Sequence, residues 1–263
     1  MAARRDNLVV IKLGGGLITD KSRPMSARPQ FINLFASELK RIREHYADIN
    51  FLVGNGAGSF AHFSAHEYGL RQGAKDARQY YGMCLAHNGV RKLNSLVVDS
   101  LTDTGIPAFG LSPSALFTVS NGKINSSHLG PIQHLLDNGC VPVLHGDTIC
   151  DDISGTKILS TEKVLMACME EFANQYKKVT VVYLVTTDGV LDKDGDTIPH
   201  LKITDDVFTH QSLKHDVTGG IIGKVKSARE AAKLAHLVCL VNGTVPGQLQ
   251  KAITTGGIGT IIA

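Results

Sequence analysis

An α/β fold around a mainly parallel sheet is predicted by three observations. Leu8-Val9-Val10-Ile11-Lys12-Leu13 and Ile49-Asn50-Phe51-Leu52-Val53 are short apolar runs of the kind found in strands buried on both faces. Each runs into glycine: Gly14-Gly15-Gly16 after the first, and Gly54-Asn55-Gly56-Ala57-Gly58 after the second. Between them Pro29 to Tyr46 reads as an amphipathic helix, with Phe31, Leu34, Phe35, Leu39 and Ile42 along one side. Strand, crossover helix and strand form a βαβ unit, which requires parallel strands.

Composition sets the outer limits. The 263 residues are 43% hydrophobic and 19% charged, enough for one large α/β domain or two lobes sharing a sheet. A net charge of +3 without a long run of Lys or Arg argues against a nucleic-acid partner. The five cysteines, Cys84, Cys140, Cys150, Cys168 and Cys239, are scattered and form no Cys-x-x-Cys pair. A disulfide framework and a zinc site are therefore not expected, and a reducing compartment fits. The first apolar run is too short for a signal-peptide core, and no span of about 20 apolar residues occurs. The expectation is a cytoplasmic protein without a membrane partner.

The second glycine turn is the strongest local signal. In Gly56-Ala57-Gly58-Ser59-Phe60-Ala61-His62, small residues bring backbone N–H groups close to an anion, and a helix starting behind them adds a favourable dipole. His62 lies about one helical turn past Gly58, where its ring can face what the turn holds. An exposed histidine behind an ordinary strand–helix turn fits the same residues. Lys12 interrupts an otherwise apolar strand, a costly place for a charge unless an anion meets it or the side chain snorkels from the strand end. Lys21, in the loop after Thr19-Asp20, approaches the same region.

Asp76 to Asp103 is a long helical pattern carrying Met83, Leu85, Val90, Leu93, Leu96, Val97 and Leu101. Ala108 to Leu111 and Leu116 to Val119 are short strands, Asn121-Gly122 is a hairpin-type turn, and Leu129 to Leu136 is helical. Cys140 to Leu144 is a strand ending in His145-Gly146-Asp147. A carboxylate just past the C-terminal end of a parallel strand lies where α/β folds keep their sites, although a turn or cap Asp reads the same way. Asp151-Asp152 opens a turn with Gly155, Lys157 to Leu159 is a strand, and Ser160-Thr161-Glu162 starts a helix through Tyr176 with Ser160 or Thr161 as its cap. Val179 to Val185 is a buried strand followed by Thr187-Asp188-Gly189. Asp192 to Asp196 resembles the start of a calcium loop but lacks its ligand series.

Ile198 to Leu213 reads as irregular. Asp216 to Lys224 is a further glycine turn, with Thr218, Gly219, Gly220 and Gly223, leading into a helix through Ala235 with Lys224 at its start. Leu237 to Val241, Pro246 to Ile253 and Gly259 to Ile262 read as strand, helix and strand. A soft division falls near residue 176, giving 1–176 with the first phosphate turn and 177–263 with the second.

Two anion-holding turns with flanking lysines on one sheet are what phosphoryl transfer requires, because there the protein mainly positions groups and neutralises charge. The common nucleotide signatures are absent. Gly223-Lys224 is followed by Val225, not Ser or Thr, and position 59 breaks a Gly-x-Gly-x-x-Gly pattern, so a dinucleotide-binding oxidoreductase is disfavoured.

Lys12-Leu13-Gly14-Gly15-Gly16, the glycine turn, Gly146-Asp147, Thr187-Asp188-Gly189-Val190 and Thr218-Gly219-Gly220…Lys224 resemble the amino acid kinase superfamily, in that family's order and over essentially the whole chain. Within it, Gly56 to His62 is similar to the Gly-x-Gly-Ser-Phe-Gly-His turn of the isopentenyl phosphate kinase branch, and Lys12 to Lys21 matches that branch's first strand and loop. Fosfomycin kinases share the His and both lysines.

The resemblance implies a three-layer αβα sandwich, an acceptor-binding lobe over 1–176, a nucleotide-binding lobe over 177–263 and a homodimer. It implies ATP with magnesium carried on its phosphates and no metal site of protein ligands. The implied acceptor is a small phosphate monoester, isopentenyl phosphate, or in the alternative a fosfomycin-like phosphonate. His62, Lys12, Lys21 and Lys224 become the catalytic group, with His62 a donor able to be cationic near neutral pH. Gly56, Ala57, Gly58, Ser59, Gly146, Asp147, Thr161 and Glu162 become the acceptor site. Gly14, Gly15, Thr187, Asp188, Gly189, Gly220, Gly223 and Lys224 become the nucleotide site. The chain departs from the pattern where Ser160-Thr161-Glu162 replaces Ser-Gly-Asp, where Ala61 replaces Gly, and where Asn55 replaces His.

Overall fold

The computed structural model describes residues 5–204 and 220–263. The predicted βαβ unit is present as β1 (Arg5–Leu13), the one-turn α1 (Gly15–Ile18), α2 (Pro29–His45) and β2 (Ile49–Asn55). β1 and β2 pair in parallel, with Lys12 opposite Gly54. The chain continues through α3 (His62–Glu67), the long α4 (Ala77–Asp103), β3 (Ala108–Gly110), α5 (Pro113–Leu116), β4 (Phe117–Ser120), β5 (Lys123–Ser127), α6 (Gly130–Asp137) and β6 (Val141–His145). Asp76 caps α4, accepting from the Gln79 amide at 2.8 Å. Asn121 (φ 49°) and Gly122 (φ 75°) both take the left-handed conformation that the β4–β5 hairpin turn requires.

Then come β7 (Asp147–Asp151), β8 (Gly155–Leu159), α7 (Thr161–Phe172), β9 (Tyr176–Val185), β10 (His200–Leu201), α8 (Gly220–Ala232), β11 (Leu237–Asn242), α9 (Gln248–Thr254) and β12 (Thr260–Ile262). Among the described residues the main sheet has the order β10-β12-β11-β9-β1-β2-β6-β3. From β11 to β3 every pairing is parallel, and only β12 and β10 run the other way. The predicted three layers follow from alternation along β1. Leu8 and Val10 enter one core with α6, α7 and α8, while Val9, Ile11 and Leu13 enter the other with α2, α4 and α9. A buried carboxylate ties the second layer together: Glu38 of α2 accepts from the amides of Gly247 and Leu249 at the start of α9.

Two expectations are corrected, and a third lies mostly outside the described residues. The helix opened by Ser160 ends at Phe172, and Tyr176 already belongs to β9, where it pairs with Arg5 and accepts its guanidinium at 3.1 Å. Polar β5, polar β7 and the two-residue β10 were not read as strands, and β5-β4-β7-β8 form a second, four-stranded sheet. That sheet matters for the site, because it brings β7 and β8 against the end of β6. The glycine turn from Asp216 to Gly219 and most of the stretch 198–213 lie outside the described residues.

Candidate active site

The C-terminal ends of the parallel strands open onto one cleft of about 850 Å³, lined by Lys12, Lys21, His62 and Lys224 together. The sequence places these cations on four separate segments; the fold brings them to one edge. Lys12 is the last residue but one of β1. It is 4% exposed, and its ammonium lies 2.7 Å from the Glu162 carboxylate at the start of α7. Burial works to raise the Glu162 pKa, but the Lys12 charge and hydrogen bonds outweigh it and hold the carboxyl below its ordinary range. Glu162 thus supplies the counter-charge that keeps a lysine tolerable inside a strand.

The two glycine turns are required first by each other. A Cβ on Gly15 would lie 2.5 Å from the amide nitrogen of Gly58, and one on Gly56 would lie 2.7 Å from that of Gly15. Gly58 also has φ 49°, and a side chain there would run into Thr19. The turns after β1 and β2 therefore nest backbone to backbone, and both line the cleft through Gly15, Gly16, Gly56, Ala57 and Gly58.

Ser59 is different. It is buried; its amide donates to Thr19 Oγ1 at 3.0 Å, and its hydroxyl accepts from the Ser26 amide and donates to the Ser26 carbonyl. Its carbonyl accepts from the Met25 amide at 3.2 Å. Ser59 therefore clasps both ends of the loop that carries Lys21, instead of facing the cleft as expected. Gly56 likewise spends its amide on Leu13 O at 2.9 Å. Ser59→Ala is expected to lower kcat about tenfold through misplacement of Lys21 while leaving the KM for nucleotide unchanged. Steady-state kinetics with nucleotide and acceptor varied separately check this; a rise in nucleotide KM at constant kcat would refute it.

His62 is the first residue of α3. It stands in the cleft, open to solvent but enclosed by the walls. Burial, then the charges of Lys21 and Arg71, hold its pKa below the ordinary value. These surroundings favour the neutral imidazole, and a phosphate beside it would supply the charge that favours the cation.

Asp147 is fully buried and turned back into the protein. Its Oδ1 lies 2.9 Å from His87 Nδ1 and accepts from the Thr148 amide, and its Oδ2 accepts from the Ser114 amide at 3.2 Å. It joins α4, α5 and β7 at the cleft wall beside Gly146, with its carboxylate already engaged. Thr161 answers its departure from the family pattern. Its hydroxyl donates to Asn55 O at 2.8 Å and its methyl fills the space above Gly54, so the side chain leans on β2. Ser160 caps α7 through the Lys163 amide at 3.3 Å. Asn55 accepts from Asn94 of α4 at 2.8 Å and is buried below the turn.

On the opposite side Gly223 and Lys224 of α8 line the cleft. Gly220 begins α8, and Thr218 and Gly219 lie outside the described residues. Gly14 donates to Leu184 O at 2.9 Å and supports the turn from beneath. Thr187, Asp188 and Gly189 follow β9 on the same sheet edge but outside the lining. Thr187 donates to Gly189 O at 2.7 Å, and Asp188 accepts from Asn242 at 2.9 Å. Sequence reasoning missed His66, Arg71 and Gln72, and the apolar wall of Ile158 and Leu159. His66 had a signal, four residues after His62 on one helix face; Arg71 and Ile158 had none, because their neighbours come from remote segments. Ala86 and Val90 line the cleft from α4.

The fold and cleft define a class: an αβα protein whose parallel strand ends gather four cations at one cleft. The chain belongs to the amino acid kinase family, whose sequence model matches residues 7–242. Its relatives include the isopentenyl phosphate kinase of Haloferax volcanii, 33% identical over 92% of this chain and 97% of that protein. The isopentenyl phosphate kinase of Methanothermobacter thermautotrophicus is 28% identical over 94% of this chain and 95% of its own length. The solved product complex of the T. acidophilum isopentenyl phosphate kinase superposes with a TM-score of 0.79 at 26% identity, over 97% of this chain and 100% of that one. Among the described residues no helix is long and apolar enough to cross a membrane.

Proposed function

We propose that this protein transfers the γ-phosphoryl group of ATP to isopentenyl phosphate, giving isopentenyl diphosphate and ADP. The observation that carries this reading is the convergence of Lys12, Lys21, His62 and Lys224 on one cleft bounded by nested glycine turns. An oxygen of the acceptor phosphate attacks the γ-phosphorus, the bond from that phosphorus to the β–γ bridging oxygen breaks, and ADP leaves with the bonding electrons. A phosphate oxygen is already a competent nucleophile, so the task is to bring two anions together and spread their charge. The amides of Ala57 and Gly58, with His62, hold the acceptor phosphate. Lys12 bridges acceptor and γ-phosphate, Lys21 reaches the transferring group, and Lys224 holds the β- and γ-phosphates. The front lobe, 1–176, supplies the acceptor side and the back lobe, 177–263, the nucleotide side, with Thr187, Asp188 and Gly189 next to the purine or ribose.

Both carboxylates at the cleft are engaged, Glu162 by Lys12 and Asp147 by His87. This donor set suits a magnesium ion held by nucleotide phosphates and water, where it screens phosphate charge. The apolar wall of Ala86, Val90, Ile158 and Leu159 fits a short hydrocarbon tail. The relatives carry the isopentenyl reading and lend nothing to the fosfomycin-like alternative. The proposal extends to a cytoplasmic homodimer: Phe109 on the edge strand β3 and Leu96 on α4 are 53% and 42% exposed, which favours self-association there. Sedimentation of the dilute protein as a monomer would remove that part. The reaction itself is tested by incubating the protein with ATP, magnesium and isopentenyl phosphate and following phosphorus NMR. Appearance of a diphosphate ester with ADP is expected; its absence at micromolar enzyme overturns the assignment.

A further inference from the structure

The wall of the cleft beyond His62 carries a cation to which the proposed reaction gives no role. His62, Ala65, His66 and Gly69 recur at spacings of three and four and all line the cleft, so one face of α3 runs along it. At Gly69 (φ 65°) the chain turns into a short 3-10 segment, Leu70–Gln72. Leu70 is fully buried and anchors that segment, while Arg71 and Gln72 face the cleft. Two neighbouring arginines show what an ordinary structural arginine does in this region. Arg78 donates to Glu67 O at 3.1 Å and covers the Tyr68 ring, and Arg28 donates to Gly16 O. Among the described residues Arg71 has no such partner, and no carboxylate lies within ion-pair distance of it or of Lys21. Its charge is felt by His62, which it and Lys21 disfavour as a cation. The cleft thus holds, among the described residues, two cations without a carboxylate partner that both act on one histidine, and a bound anion relieves their repulsion.

We propose that Arg71 is a specificity-determining residue that binds the acceptor's phosphate and selects acceptors carrying two negative charges there over singly charged ones. A guanidinium presents paired N–H donors that match two oxygens of one phosphate, which an ammonium does not. Lining the same cleft as Lys21 and His62, it favours a dianionic monoester. A carboxylate or a singly ionised phosphonate ester leaves part of this positive charge unanswered. Lys12, Lys21 and Lys224 remain the groups for the transferring phosphoryl, so Arg71 acts on acceptor affinity, not on the chemical step.

This inference rests on the phosphate-acceptor reading, and its test is arranged to separate the two. Arg71→Met and Arg71→Lys are compared with wild type by steady-state kinetics on isopentenyl phosphate and by calorimetric titration with inorganic phosphate as the probe. Arg71→Met is expected to raise the acceptor KM about 10- to 100-fold, with kcat within about threefold and nucleotide KM unchanged. Arg71→Lys is expected to recover part of the loss, and phosphate binding to weaken in parallel. Thermal melts check that both variants fold, which the exposed position of Arg71 favours. An active wild type whose acceptor KM and phosphate affinity ignore Arg71→Met overturns this proposal and leaves the kinase reading standing. A wild type inactive on isopentenyl phosphate overturns the kinase reading, and phosphate titration of the variants still decides the role of Arg71.

Discussion

Lys12→Met is expected to lower kcat on the order of 10³-fold and to destabilise the protein by about 3 kcal/mol, the low end for a broken buried pair. The two effects have different origins. In the proposed reaction the rate loss comes from removing the ammonium that bridges acceptor and donor phosphates. The stability loss comes from Glu162, whose carboxylate is only 17% exposed and is left without its partner at 2.7 Å. The pH dependence tells them apart. In the wild type the Glu162 pKa is held below 4.5, so the pair contributes stability above that pH and loses it as pH falls through the lowered value. Without Lys12 only burial remains to act, which raises the pKa, and the variant recovers as acidification neutralises the carboxyl. The difference in Tm between wild type and Lys12→Met should therefore shrink as pH drops below about 5. The double variant Lys12→Met/Glu162→Gln should regain most of the stability at pH 7 and none of the turnover. Substantial turnover by that double variant would show that Lys12 is structural and sink its place in the reaction.

This pair also marks how far the sequence could be read. Lys12 was legible because a charge inside an apolar strand needs a reason, and the position itself asks for an anion or a counter-ion. Its partner was legible only through family likeness, since nothing in Ser160-Thr161-Glu162 states which strand the helix start will face. The main sheet was legible because Leu8 to Leu13, Ile49 to Val53, Cys140 to Leu144, Val179 to Val185 and Leu237 to Val241 are apolar on both faces. The second sheet was not: Asp147-Thr148-Ile149-Cys150-Asp151 and Lys123-Ile124-Asn125-Ser126-Ser127 are polar, and their strand character comes from pairing with each other's neighbours. Ser59 shows the same limit at a single residue. A serine in a glycine turn reads as an anion ligand, yet its bonds run to Thr19 and Ser26, fixed by tertiary packing of a loop far behind it in sequence. Where a residue's function is to hold another segment, only the fold reveals which segment that is.

His62→Ala is expected to reduce kcat by about 10²- to 10³-fold, with a change in stability within about 0.5 kcal/mol, because the ring contributes a donor to the cleft and little packing. His62→Gln keeps an N–H donor and should recover about tenfold of that loss, which separates the donor role from simple space filling. The proton inventory gives a second, independent readout. Burial, Lys21 and Arg71 depress the His62 pKa below 6.5, so the folded protein resists a proton that the unfolded chain accepts. Stability is therefore lost as pH falls through 6.5, and His62→Gln should lose less over that interval. A dianionic phosphate ester reverses the electrostatics: it offsets Lys21 and Arg71 and makes the imidazolium favourable. Binding of the ester near pH 7 should then draw a proton from solution, visible as a dependence of the calorimetric heat on the buffer's ionisation enthalpy, and this dependence should vanish in His62→Gln. If His62→Ala turns over at nearly the wild-type rate and binding shows no proton uptake, His62 is an ordinary surface residue at the start of α3. The acceptor phosphate would then have to be held by Lys12, Arg71 and the glycine turn alone.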